Sequence, residues 1–163
     1  VYNRKQTLQR YAQHEWRLSM IMAIITSLMV TSVGPGTFEL GAILGEPTGI
    51  SIKYWTGSTT AFDGAVSWSL RDEHEDMYIH GDFLWHDFSL IEDESGRIPV
   101  YYGIGGRIIM VDDPRIGARI PVGISWLLGG APLDLFIEVA GVLDLVPDTD
   151  FDVNGGIGIR FVF

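Results

Sequence analysis

The chain has 163 residues, a formal net charge of −10 and no cysteine. Without cysteine there is no disulfide framework, thiolate metal site or lipidated thiol, and the acidic balance excludes the basic face of a nucleic-acid binder. The length suits one domain, while 20 glycines and a positive mean hydropathy are unusual for a soluble one.

The first predicted element is a leader. Arg4, Lys5, Arg10 and Arg17 precede an apolar run from Leu18 to Val33, and Ser32, Gly34 and Gly36 form a small-residue exit. Basic, apolar and small segments in that order predict an export signal peptide over residues 1–36, cut after Ser32 or after Gly36. As a spanning helix the run is short, because about 20 apolar residues are needed and this one is diluted by Ser and Thr. Residues 37–163 then form the mature domain, with seven bases against 20 acids, a net charge of −13.

From Thr37 onward the chain alternates. Phe38, Leu40, Ala42 and Leu44 share one face of a first strand; Ile50, Ile52 and Tyr54 mark the second. Phe62, Val66, Trp68 and Leu70 mark the third, followed by the acidic loop Asp72–Asp76; Met77, Ile79, Phe83 and Trp85 mark the fourth. A polar stretch from Ile91 to Gly96 is expected as a loop. Val100, Tyr102, Ile104, Ile108 and Met110 define the fifth strand, and Ile116 to Trp126 the sixth, where Pro121 predicts a lost ladder bond or a bulge. Leu133 to Leu145 forms the seventh. The eighth ends the chain, with Val153, Ile157, Ile159, Phe161 and Phe163 opposing Asn154, Gly156, Gly158 and Arg160. Eight period-2 segments without a helical one predict an all-β chain: an eight-stranded antiparallel transmembrane β-barrel with up-and-down topology.

The minority face carries the informative residues. Glu39, Lys53, Asp63, His80, Asp82, Arg107, Arg119, Asp134, Glu138, Asp144, Asp152 and Arg160 all oppose the apolar parity, interleaved with glycines. Glycine on a polar face leaves room for neighbouring side chains, as a crowded lumen needs. A lumen charge network is therefore expected from Glu39, Lys53, Asp82, Arg107, Arg119, Glu138, Asp152 and Arg160. The arginines are expected to pair with Glu39, Asp82, Glu138 or Asp152, because unpaired buried charge is costly. Acids outnumber bases, so some must reach wet rims or hold protons. Phe38, Trp55, Trp68, Trp85, Trp126 and Phe163 lie near strand ends as an interfacial girdle would, although Trp55 falls on the polar parity.

Several motifs have blander readings. Asp148, Asp150, Asp152 and Asn154 resemble the start of a calcium loop, but its twelfth-position acid is replaced by Ile159. Gly103–Arg107 and Gly156–Arg160 are near repeats without the helix of a dinucleotide fingerprint. Ser67, His80 and Glu138 contain the residue types of a hydrolase triad but lie on the lumen parity. His74 and His86 read as rim residues. No catalytic, cofactor-binding or metal-binding residue is expected.

The mature chain resembles the small OmpA-like outer-membrane barrels, including a spirochaete-type surface-protein group. The resembling segments are Leu44–Ser51 with Lys53–Tyr54–Trp55, Tyr101–Arg107, Ala131–Asp134 and Asp150–Arg160. The resemblance implies an outer-membrane location, no assigned catalytic residues, and Phe161 and Phe163 as the carboxy-terminal signal read by the barrel-assembly machinery. No segment resembles the soluble peptidoglycan-binding domain of OmpA, so anchoring through one is not expected. The expected function is a structural or surface-binding outer-membrane barrel, a monomer with a side-chain-filled lumen. Its expected partners are outer-membrane lipid and the assembly machinery, with no nucleic acid and no identified surface ligand. Alternatives are a lipid-modifying enzyme and a soluble secreted lipocalin-like barrel with its apolar parity inward.

Overall fold

The structure, a computed structural model, describes residues 33–68, 77–93, 96–111 and 113–163. Expectations for residues 1–32, for Leu70, for the acidic loop with His74 and for the side chain of Trp68 lie outside these. Among the described residues ten strands form: β1 (Phe38–Glu46), β2 (Gly49–Trp55), β3 (Thr60–Trp68), β4 (Met77–Asp87), β5 (Glu92–Asp93), β6 (Gly96–Arg97), β7 (Val100–Met110), β8 (Arg115–Leu128), β9 (Leu133–Val146) and β10 (Asp150–Val162).

The eight long strands pair antiparallel in chain order, and β10 returns to β1 to close the ring, with Gly41 opposite Arg160. The architecture is thus an all-β, closed, eight-stranded antiparallel barrel. Closure leaves the ring without an edge strand. The expected loop at 91–96 instead contains the short β5–β6 hairpin, whose β6 continues the line of β7 along β8, pairing Gly96 with Leu128 and Arg97 with Leu127. Two-residue strands are too short for alternation to reveal them.

Pro121 has the expected effect on one side only. Its ladder with β9 is continuous, Pro121 facing Ala140, whereas pairing with β7 lapses between Tyr102–Val122 and Gly105–Arg119. The register on either side of the lapse is unchanged, so Pro121 removes bonds without inserting a residue. The bulge of β8 lies elsewhere, at Ile116/Gly117.

Burial follows parity around the barrel. Ile104, Ile120, Val122, Ile137, Val139 and Ile157 are exposed, whereas Glu39, Lys53, Asp82, Arg107, Arg119, Asp134 and Arg160 are buried. This inverts the arrangement of a water-soluble barrel. Lumen glycines make the inversion possible: a methyl group on Gly123 would overlap the Tyr101 ring, one on Gly158 the Phe136 ring, and one on Gly105 the Asp82 carboxylate.

Aromatics gather on the outside near the end that holds both β1's start and β10's finish. Phe38, Tyr54, Phe62 and Phe83 are consecutive cross-strand partners from β1 to β4, and Trp85 stacks on Tyr102 at 5.8 Å. Trp55 does not belong to this belt. It is fully buried in the lumen, as its parity dictates.

Candidate functional site in the lumen

The buried polar side chains stack in layers along the barrel axis. At the end where β1 starts and β10 finishes the lumen is closed by an apolar floor of Val33, Trp55, Ala61 and Leu127, with Phe88 and Val162 packed against it. The segment before β1 is part of this floor: Gly36 N–H donates to the Trp55 carbonyl and Trp55 N–H to the Thr37 carbonyl, at 2.8 and 2.9 Å. Gly36 makes the turn with φ +92°, a region that favours glycine. His86 lies against Trp55 with ring centroids 4.3 Å apart and is buried, which corrects its assignment to a solvated rim.

Above the floor, Trp55 Nε1 donates to Glu39 Oε1 at 2.6 Å, and Lys53 Nζ contacts Asp134 Oδ2 at 3.3 Å. Ser125 also donates to Asp134. Arg160 spans this layer: Nε donates to Ser51 Oγ at 2.9 Å, and Nη2 to both oxygens of Asp63 at 2.7 and 3.0 Å. Nη1 lies 3.6 Å from Asp134, and the guanidinium covers the Phe136 ring at 3.8 Å. The partners of Arg160 are thus Asp63 and Asp134 rather than Glu39.

In the middle layer Arg119 contacts Asp82 with Nη1 and Glu138 with Nη2, reaching carboxylates on two different walls. Glu138 also accepts the Tyr101 hydroxyl at 2.9 Å. At the far end Arg107 grips Asp144 with both prongs at 2.9 and 2.8 Å, and gives Nη1 to Asp152 at 2.8 Å and Asn154 at 3.2 Å. Tyr78 donates to the same Asn154 oxygen at 2.9 Å. Asp152 is half exposed, so this layer is the mouth.

Asp63, Asp134 and Asp144 carry much of this pairing although the expected network omitted them. Register supplies part of the missing signal, since Asp134 lies directly opposite Arg160. Register alone misleads elsewhere: Lys53 faces Glu39 across β1–β2, yet its ammonium goes to Asp134. Trp55, Tyr78, Tyr101, Ser125 and Asn154 serve as polar partners that charge-based reading passes over.

The remaining motifs stay apart. Asp148 and Asp150 are exposed while Asp152 and Asn154 turn inward to Arg107. Ser67 donates to the Tyr78 carbonyl at 3.4 Å, and no hydrogen bond joins it to His80 or Glu138. Phe161 and Phe163 are exposed with rings 4.9 Å apart on the closing seam, where Phe163 N–H donates to the Phe38 carbonyl at 2.8 Å.

No protein-family model and no curated protein matches the sequence. Among solved structures, the chain is similar to the N-terminal β-barrel domain of Pseudomonas aeruginosa OprF, with 18% identity and a TM-score of 0.55. The match covers 80% of this chain and 100% of that one. At that identity the likeness is one of fold: both chains form a β-barrel.

Proposed function

We propose that this protein is an integral barrel of a bacterial outer membrane with a structural or surface-binding role and a lumen filled by its own side chains. The observation that carries the reading is the inversion itself: aliphatic and aromatic side chains outside, charged and hydrogen-bonded ones inside. An exterior of that kind suits hydrocarbon, and a closed barrel satisfies the backbone there without water. The fold likeness to the OprF barrel supports the location. The narrower kinship with spirochaete-type surface proteins belongs to this proposal and rests on the sequence segments that suggest it.

The role is proposed to be non-enzymatic. Ser67, His80 and Glu138 are buried in the lumen, away from the face that lipid would reach. Ring closure leaves no long strand free to pair with another copy, which favours a monomer. Phe161 and Phe163, exposed at the seam, are available to an assembly machinery that reads the last strand. The leader belongs to the same reading, and the packing of Val33 beneath Trp55 favours a cut after Ser32 over one after Gly36.

Protein refolded into detergent should migrate differently on gels before and after boiling, and should give no steady nanosiemens conductance in a planar bilayer. A sustained open-pore current would sink the filled-lumen reading, and failure to partition into lipid would sink the location. Lipid A mass spectra from cells with and without the gene separate the enzyme alternative: a reproducible change in acylation would favour it.

A further inference from the structure

We propose that Asp63, His80 and Asp82 form a binding site for one divalent transition-metal ion of the zinc type inside the barrel. Asp63 and Asp82 are direct cross-strand partners on β3 and β4, both buried and both facing the lumen. Like charges so placed destabilise a sheet unless cations meet them; Arg160 meets Asp63 and Arg119 meets Asp82, and both carboxylates keep acceptor capacity over. His80 precedes Asp82 by two residues on β4, so strand alternation brings its ring to the same side. One donor atom from each of the three lies within 4.8 Å of the others. Donors bound tetrahedrally to a zinc-like ion stand about 3.4 Å apart, so side-chain rotations closing about 1.4 Å complete the site.

Two further observations point to a ligand. The His80 side chain is 2% exposed; its Nε2 lies 3.9 Å from Asp82 Oδ2, and its Nδ1 is buried without a partner. Asp82 Oδ1 is buried without one too. Secondly, the floor and middle layers bury Glu39, Asp63, Asp82, Asp134 and Glu138 against Lys53, Arg119 and Arg160. Among the described residues that is five carboxyl groups against three cations, so a divalent ion would stand where the surplus acids otherwise hold protons. Arg119 and Arg160 are already included in that balance, and they do not exhaust the acceptors, because an ionised carboxylate offers about four lone-pair sites. One imidazole with two carboxylates suits zinc, cobalt or manganese better than the all-oxygen cages that calcium takes.

The test refolds the protein from metal-free denaturant into detergent with Zn²⁺ or Co²⁺ already present, so that access to the lumen is not limiting, and then removes free metal. The expected result is one retained equivalent, with visible Co²⁺ absorption. His80→Gln should weaken retention by more than about tenfold, as loss of a direct ligand exceeds the usual effect of its outer partners. His86→Gln, altering the other buried histidine among the described residues, should leave retention unchanged. Wild-type protein that retains no stoichiometric metal would overturn the proposal, as would His80→Gln retaining it like the wild type. Should His80→Gln fail to fold, Asp82→Asn replaces it with the same expected loss.

Discussion

The two ends of the lumen solve the same problem differently. At the end where β1 starts and β10 finishes, Trp55, Leu127 and Val33 cover the charges with apolar surface, and Lys53, Asp134 and Arg160 behind them are fully buried. At the mouth Arg107 also meets two carboxylates, yet one of them, Asp152, is 46% exposed. Charge pairing in the first region lies out of reach of solvent; in the second it shares the work with water. Ion pairs of similar geometry should therefore differ in worth, because breaking a buried pair strands a charge that cannot be rehydrated.

Substitutions along the axis test that difference. Arg119→Ala should be the most damaging, at about 3–5 kcal/mol in equilibrium urea unfolding in lipid, because it abandons both Asp82 and Glu138 in the middle layer. A loss below about 1 kcal/mol would mean that water enters there and that the layers are not distinct. Trp55→Ala should come next, at about 3 kcal/mol, since it opens the floor and removes the donor to Glu39. Its signature is a new small conductance or faster exchange of the Tyr101 region with solvent; an unchanged barrier would move the seal elsewhere. Arg107→Ala should cost less, about 1–3 kcal/mol, because Asp152 regains water while Asp144 does not. Thermal melts in detergent that rank it above Arg119→Ala would reverse the comparison. Arg115→Ala, removing an exposed guanidinium 4.0 Å from Asp144, should stay within about 0.5 kcal/mol.

The closed end also sharpens the processing question. Mature protein taken from a membrane fraction should begin at Val33, since a cut after Gly36 discards the floor residue and the Gly36–Trp55 hydrogen bond. Amino-terminal sequencing that starts at Thr37 would separate the floor from Val33, and a start at Val1 would remove the leader reading altogether.

Alternation was enough to assign faces. Along the strand interiors the charged residues of the minority parity turn inward, Arg115 and Asp150 being exposed where β8 and β10 begin at the mouth, and the eight long strands lie where their apolar positions predict, because side chains on a strand can only take one side or the other. Even Trp55, grouped by its strand-end position with the girdle, obeys its parity instead. Glycines on the inward face announced crowding for the same local reason, although the rings of Tyr101 and Phe136 that fill the space appear only in three dimensions. Depth and partnership were beyond such reading. Arg160 meets Asp63 and Ser51, which are 97 and 109 residues away, and leaves Glu39 to Trp55. Parity specifies a face but not a height, and a long arginine or lysine side chain reaches past its cross-strand neighbour to a carboxylate on another wall. Ring closure and register set those heights, so the sequence alone determined which residues share the lumen, and only the closed barrel decided which of them touch.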